Sequence, residues 1–480
     1  MTLRRVGVGT VALEALLFGV TALSPVPATG AGVRSATVTP PDRASTSSRG
    51  VVGKTINVVF PVANLSALAD SMGFAGDPED VEQGKAITFY VRQINDAGGI
   101  SGRKINPIIT LFDPTSESDM RALCKQWTQG SPGVFAVVDG LGAWTGDNQL
   151  CITQEGHTPL LAEWTTGTSW TTSGSPYLWW LGPDQAVILR TLVSWAHSSG
   201  YIGRDKKLGI VVGDRASDQL ALHDYLLPSL QKVGIADPLV ETLPSVPSES
   251  AATNSAAPLI TEKFRAAGIT TVIPLIPVNS FFPYLGAETA QKYFPRLLLS
   301  DYESSIEVGL GLIPVPYEQA LNGQEGVTVD TLGGIDDDRP EGQGGYDPGV
   351  RSCWTSFRQS PTFPFPMPPV HPGPWIEEQG PIVSWCQAIR LFAEAATKAG
   401  PDLNRRTFVE AMAGIKDFPG TLSPTLSYGT SKFYGPTEYR VVSLHNNSAS
   451  NNQCINNYKG RVQATCWTII SNWKPLVTHQ

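Results

Sequence analysis

The sequence predicts an α/β protein built from two doubly wound domains, and three observations carry that expectation. Strand-like, helix-like and strand-like runs alternate from Thr55 to Asp113. The same alternation restarts at Gln185 and continues to Leu299, and 480 residues suffice for two separate cores. Hydrophobic residues make up 41% of the chain and charged residues 16%, so a folded chain with a rather neutral polar surface is expected. The formal net charge of -8 argues against the basic patch that nucleic-acid phosphates require.

The first alternation is the most informative. Thr55 to Phe60 is a β-rich run. Between Gln83 and Ile94, the residues Ala86, Ile87, Phe89, Tyr90, Val91 and Ile94 recur at three-to-four spacing, which predicts a helix with one buried face. Asn95-Asp96-Ala97-Gly98-Gly99 then supplies the stop and turn, and Ile105 to Asp113 is a short apolar strand ending on an acid. Strand, helix, strand in that order is a βαβ unit with parallel strands.

At these residues the sequence resembles the type I periplasmic solute-binding proteins, in particular the branch that binds branched-chain amino acids (leucine, isoleucine, valine). The resemblance is carried by Gly84-Lys-Ala-Ile, by Ile94-Asn95-x-x-Gly98-Gly99-Ile100-x-Gly102-Arg103 and by the strand closing on Asp113. It extends to the Ala-rich helix of 381–399, its Gly400-Pro-Asp-Leu-Asn stop, the helix from Arg406 and Phe418-Pro-Gly, and so spans roughly residues 55 to 440. It implies two lobes joined by a three-strand hinge, with lobe one at 54–182 plus 332–432 and lobe two at 183–331 plus 433–477. It also implies capture of a small polar solute, amino acid or amide-like, in the cleft and delivery to an ABC transporter permease. The protein is then a monomer, needs no cofactor and is not an enzyme. The alternatives are a ligand-sensing ectodomain on the same fold and a secreted hydrolase.

Residues 1–30 carry a targeting pattern, with Arg4 and Arg5 before a mostly apolar run from Val6 to Leu23 that Glu14 interrupts, then small residues suited to cleavage. They read as a signal peptide, and the Ser-, Thr- and Pro-rich stretch 31–53 reads as a disordered tether. The first cysteine is Cys124, so an exported product without an N-terminal lipid-bearing cysteine is expected.

In open α/β sheets, ligands bind outside the carboxyl ends of the strands, and that rule locates the candidates. Phe74 lies in the loop after the first strand. The loop Gly140 to Gly146 follows the apolar strand Gly133 to Asp139. Its G-x-G-x-x-x-G spacing, with no acid closing a second strand, does not fit a dinucleotide fingerprint, and Trp144 and Thr145 are expected to be exposed there as solute contacts. After the strand Pro159 to Ala162 come Trp164, Thr165 and Thr166. Loop hydroxyls of this kind bind a carboxylate or amide without adding charge, although capping and turn duty is their plainer use. The resemblance puts the family's ligand-holding Ser/Thr at this position, and Trp144 with Trp164 suggests a solute larger or more aromatic than valine.

Tyr177 to Asp184 matches the family's first crossover between lobes. In the second half, the loops at 214–217, 277–280 and 301–303 supply Ser217, Asn279, Asp301, Tyr302 and Glu303. The resemblance places an ammonium-binding acid at Asp301 or Glu303, while a solvated acidic loop is the ordinary alternative. Where the family often carries Tyr-Gly after the acid of this loop, this chain has Arg215-Ala-Ser-Asp218, a departure that bears on the identity of the solute. Gly326 to Asp330 is expected to be the second crossover, and a third is expected before the strands that begin near Glu438. Residues 333–375, rich in Gly and Pro, read as a binding lid or a surface insertion.

Six cysteines in an exported chain invite pairing. Cys124 and Cys151 lie on helices after neighbouring strands, Cys454 and Cys466 flank a hairpin-like segment, and Cys353 and Cys386 remain. No C-x-x-C spacing and no nearby histidine supports a metal site. The six histidines are scattered, with no HExxH, GxSxG or P-loop, and Asp301 and Glu303 share one loop, which suits poorly two carboxylates flanking a glycosidic bond.

Overall fold

The structure is a computed structural model that describes residues 48–64, 80–114, 116–140, 144, 146–163, 167–204, 206–245, 250–302, 318–330, 349, 352–353, 356–357, 376–421, 423–446, 457–458, 461–462 and 465–478. These all lie in one compact unit, Pro41–Gln480. The expected signal peptide falls outside them, as do Phe74, Thr145, Trp164, Thr165, Thr166, Glu303, Cys454 and most of the 333–375 insertion.

The first sheet has six strands: β1 (Val51–Val52), β2 (Thr55–Ala63), β3 (Lys104–Phe112), β4 (Ala136–Asp139), β5 (Leu160–Ala162) and β6 (Leu178–Trp180). Apart from β1, an antiparallel cap on β2, the pairings are parallel and run β3-β2-β4-β5-β6. A parallel sheet is covered on both faces, which is why β2 reads as an unbroken apolar run. Its alternate residues serve different cores. Val58 and Phe60 pack with Tyr90 of helix α1 (Asp80–Asp96) and with the helices near residues 392 and 408, whereas Val59 packs with Met120 and Trp127 of helix α2 (Glu117–Gln129).

The α1 stop forms as its sequence dictates. Asn95 caps the turn from its side chain, with Oδ1 accepting from Ile105 N at 2.8 Å and Nδ2 donating to Ile105 O at 2.9 Å, while Gly98 and Gly99 take φ of 108° and 69°. Asn95 therefore ties the helix end to the strand that follows.

After β6 the chain enters a second sheet through helix α3 (Gln185–Ser198). Its strands are β7 (Leu208–Gly213), β8 (Leu239–Leu243), β9 (Thr271–Leu275), β10 (Arg296–Ser300) and β11 (Glu325–Thr328), joined later in the chain by three more. Helices α4 (Ser250–Ala267) and α5 (Val278–Gln291) cover one face and α3 covers the other. The 277–280 segment was expected as a cleft loop, but α5 begins at Val278, so Asn279 stands in the first turn of a helix. The sequence hides this helix because Pro283 and Gly286 interrupt its pattern.

The chain then returns to the first sheet. Cys353 and Phe357 pack into its core beside helices α6 (Ile376–Ala399) and α7 (Arg405–Ala413). After a two-residue ladder, β12 (Phe418–Pro419) with β13 (Thr425–Leu426), it crosses back to β14 (Glu438–Asn446). The small ladder of β15 (Asn457–Tyr458) and β16 (Arg461–Val462), then β17 (Thr465–Ile469) and β18 (Lys474–Pro475), complete the fold. The second sheet runs β17-β14-β11-β10-β9-β7-β8. Residues 325–328, expected within the second crossover, are thus a strand, β11, lying parallel to β10 and antiparallel to β14, and the crossover starts beyond them.

Two disulfides form as expected, Cys124–Cys151 and Cys353–Cys386. Cys466 lies in β17, opposite His445 of β14. Among the described residues no helix is long and apolar enough to cross a membrane, and no group of three or more His, Cys, Asp or Glu is placed to hold a metal ion.

Candidate functional site

Several buried polar and charged side chains of the described residues stand at the carboxyl ends of the parallel strands and where the chain passes between the sheets. At the end of β4, Asp139 is fully buried and its Oδ2 accepts from Trp144 N at 2.9 Å. Trp144 Nε1 in turn donates to Asn148 O at 3.1 Å, and Gln149 Nε2 donates to Trp144 O at 2.7 Å. These bonds hold Trp144 against the protein interior. Trp144, expected to be exposed as a solute contact, is instead fully buried, with ring centroids 5.1 Å from Phe112 and 4.7 Å from Trp127. An indole next to a helix start and two aromatic neighbours gains more from the core than from solvent.

Past β5, Glu163 is buried and its Oε1 accepts from Ser384 Oγ at 2.6 Å. The next residue on α6, Trp385, donates Nε1 to Gln83 Oε1 at 3.0 Å and lies against Gly140, where a Cβ would stand 2.6 Å from its ring. Gln83, in the first turns of α1, keeps an Nε2 without a hydrogen-bond partner among the described residues. None of Gln83, Ser384 and Trp385 was among the sequence candidates. Gln83 had a positional signal, because it sits just inside the helix that follows the β2 loop.

The first crossover leads to Asp184, whose Oδ1 accepts from Thr168 Oγ1 at 2.8 Å and caps α3 through Ala186 N at 2.9 Å. Burial raises its pKa against those bonds. Gln185 beside it is fully buried, and neither Oε1 nor Nε2 has a partner among the described residues.

On the second sheet, the Arg215-Ala-Ser-Asp218 segment closes on itself. The guanidinium of Arg215 forks onto the fully buried Asp218 carboxylate with two bonds of 2.8 Å, and Tyr302 Oη donates to Asp218 Oδ1 at 2.6 Å. Gly213 at the end of β7 permits the approach, since a Cβ there would lie 2.1 Å from Asp218 Oδ2. Tyr302, a candidate contact, is therefore fully buried as a partner of Asp218. Ser217 is buried too, with its Oγ unpartnered among the described residues.

Asp301 was expected to meet a ligand ammonium or face solvent. The structure buries it and turns its Oδ2 to the amide of Val329, 2.6 Å away, where the second crossover leaves β11. Burial pushes its pKa up from 3.8 to about 7, opposed by hydrogen bonds from Thr328 and Val329. Its Oδ1 has no partner among the described residues. The acid anchors a crossover strand, and Arg440 Nε donates to Asp330 O at 3.2 Å beside it.

The third crossover is tied to the first. Trp180 N donates to Phe433 O at 2.7 Å, Gly435 N to Trp180 O at 2.9 Å, and Tyr428 Oη to the same carbonyl at 3.0 Å. These bonds tie together two of the places where the chain passes between its two doubly wound, mainly parallel sheets.

Residues 71–290 match the family model described as periplasmic binding protein, and the chain has the type I periplasmic-binding-protein fold. Among solved structures, a fatty acid ABC transporter substrate-binding protein from Thermomonospora curvata superposes with a TM-score of 0.59 at 14% identity, covering 88% of this chain and 93% of its own. A branched-chain amino acid ABC transporter protein from Thermus thermophilus with bound valine gives 0.59 at 12% identity over 88% and 97%. A solute binding protein of an ABC transporter from Rhodopseudomonas palustris, in complex with 3,4-dihydroxybenzoic acid, gives 0.57 at 15% identity over 82% and 94%. No curated protein matches the chain in sequence.

Proposed function

We propose that the chain is an exported, non-enzymatic solute-binding protein that captures a small polar solute between its lobes and hands it to an ABC transporter permease. The observation that carries this reading is the family match over 71–290 on a fold of two doubly wound sheets, with unpartnered polar groups near the carboxyl ends of strands in both sheets. Gln83 follows the β2 exit, Gln185 the first crossover, Ser217 the β7 exit, and Asp301 the β10 exit. Buried polar atoms left without partners cost about 1–3 kcal/mol each, so a position that keeps several is one where a ligand can supply the missing bonds. Lobes 54–182 plus 332–432 and 183–331 plus 433–477 would close on the ligand, which contacts both only in the closed state and so shifts that equilibrium.

Structural relatives carry fatty acids, aliphatic amino acids and aromatic acids on this same fold, so the fold leaves the solute open. A thermal-shift panel of amino acids, carboxamides, hydroxybenzoates and fatty acids tests the reading. A ligand at a hundred times its dissociation constant stabilises the fold by about 2.7 kcal/mol, which is a readable shift in melting temperature. A saturable shift with one chemical class is the expected outcome, and a folded protein that responds to none of them would count against solute capture.

A further inference from the structure

We infer that the Thr168 hydroxyl is a latch between the two doubly wound domains, a positioning group that holds them together and so sets how tightly the protein retains its solute. The inference rests on the solute-capture reading, since a latch matters only if the domains separate. Thr168 moves with the first sheet. It opens the helix Thr168–Gly174, which Thr171 Oγ1 fixes to β6 by accepting from Trp180 Nε1 at 2.7 Å. Ser173 O fixes it further by accepting from Gln154 Nε2 at 2.7 Å.

Its partners belong to the second sheet. Thr168 Oγ1 donates to Asp184 Oδ1 at 2.8 Å and accepts from Ala186 N at 3.3 Å. Those two residues stand at the start of α3, whose Ile188, Leu192 and Val193 belong to a core of the second sheet with Leu222 and Leu226. Tyr225, in the π-helical turn Ala221–Leu226, shares a side-chain hydrogen bond with the same hydroxyl. The single proton of Thr168 is already given to Asp184, so the phenol is the donor. One hydroxyl of the first domain therefore makes three bonds to the second, and its one donor and two acceptor sites are all in use.

Helix capping does not account for this arrangement. Asp184 caps α3 by itself through Ala186 N at 2.9 Å, so the bond from Thr168 supplies nothing that the helix lacks. What it adds is a tie across the domain boundary to a carboxylate, and hydrogen bonds to ionised groups are the stronger kind. The two domains touch at this point, since a Cβ on Gly167 would stand 3.3 Å from Gln185 Oε1. Tyr434 of the third crossover strengthens the same boundary: its ring packs against cores of both sheets, and Asp184 and Arg190 both act electrostatically on its hydroxyl. Thr168 and Tyr225 are only half-buried, so water can take over their bonds when the domains part. A tie of this kind breaks and re-forms, and shifts an equilibrium by a modest factor rather than locking it.

The test uses the purified full chain, with spin labels at Gln93→Cys on α1 and Ala266→Cys on α4, both exposed positions. Electron–electron resonance reads the distances between them, and denaturant melts are run in parallel. Ligand-free Thr168→Val, which keeps the shape and loses the hydroxyl, should show a longer or broader distance distribution than the wild type. Tyr225→Phe should shift it in the same direction, and Thr168→Ser, which keeps the hydroxyl, should restore the wild-type distribution. If Thr168→Val does not fold, Tyr225→Phe carries the same reading with its ring in place. Valine, 3,4-dihydroxybenzoate and dodecanoate are the binding probes. Any that binds the wild type should bind Thr168→Val about threefold more weakly or worse. Wild-type distances in both Thr168→Val and Tyr225→Phe overturn the inference even if their melting falls, because a contact that only stabilises the fold would do that. Equal probe affinity in wild type and Thr168→Val overturns it too, while leaving solute capture standing. Lengthened distances with no probe bound support the latch and count against solute capture.

Discussion

Lys432 places its ammonium 4.1 Å from the centroid of the Tyr434 ring and donates to the carbonyl of that same residue at 2.7 Å. The nitrogen also donates to Gly435 O at 3.0 Å, to Pro436 O at 3.2 Å and to Ser427 O. One half-buried lysine therefore gathers the carbonyls of the third crossover, the segment bonded to Trp180 of the first. Burial, aided by the charge of Lys416, lowers its pKa to about 7.

Two outcomes follow for Lys432. Lys432→Met leaves several buried carbonyls without their donor, and a loss of about 1–3 kcal/mol of stability in denaturant melts is expected. The sign of the pH effect is set by the lowered pKa. Between about 7 and 10.5 the unfolded chain holds the proton that the folded chain has released, so this residue makes stability rise with pH across that window. The wild-type minus Lys432→Met difference in stability should grow from pH 7 to 10, and a flat difference would show that the lysine titrates normally.

Asp301 gives the opposite slope. Its pKa is raised from 3.8 to about 7, so its contribution is present below 3.8 and is lost as pH rises through 7. Asp301→Asn keeps an acceptor for Val329 N without the buried charge, and its advantage over the wild type should grow from pH 4 to 7. Asp301→Ala leaves that amide unpaired and costs about 1–3 kcal/mol at every pH. Urea melts of the three proteins at pH 4, 5.5 and 7 read both effects.

Trp144 is read here as core, and the structure gives it no solvent exposure. Trp144→Ala should therefore cost about 3–5 kcal/mol, the range for a truncated buried aromatic, in denaturant melts of the ligand-free chain. A variant as stable as the wild type would return Trp144 to the cleft.

The Trp144 case shows where the sequence stops being legible. Its loop was placed correctly at the end of β4, but Asp139, Asn148 and Gln149 decide which way the indole turns, and no local pattern encodes three partners converging on one residue. The elements themselves were readable where one face is apolar: the α1 helix, the β2 run and α3 stand within a few residues of their expected bounds. Helix α5 was not, because its proline and glycine read as loop. Asp301 was singled out for its place at a strand end, and that place is real, but its partner Val329 is brought beside it only by the β10–β11 pairing. Gln185 was used only to mark the start of a helix, since an unsatisfied amide is visible only once its neighbours are in place.

The Cys124–Cys151 bridge joins α2 to the turn after residue 150 across 27 residues. Closing a loop of this length in the unfolded chain contributes about 3–4 kcal/mol in the chain-entropy account. A Cys124→Ser, Cys151→Ser double variant should show that loss in midpoint, together with insensitivity of its melting to reductant as far as this bridge is concerned.

Hinged capture of a solute is the centre of this account, and small-angle X-ray scattering tests it most directly. The full chain is measured alone and then saturated with whichever solute shifts its melting temperature. The account predicts a fall in the radius of gyration on saturation, reversed when the solute is dialysed away. Unchanged dimensions at full occupancy would contradict closure of the two lobes around the ligand.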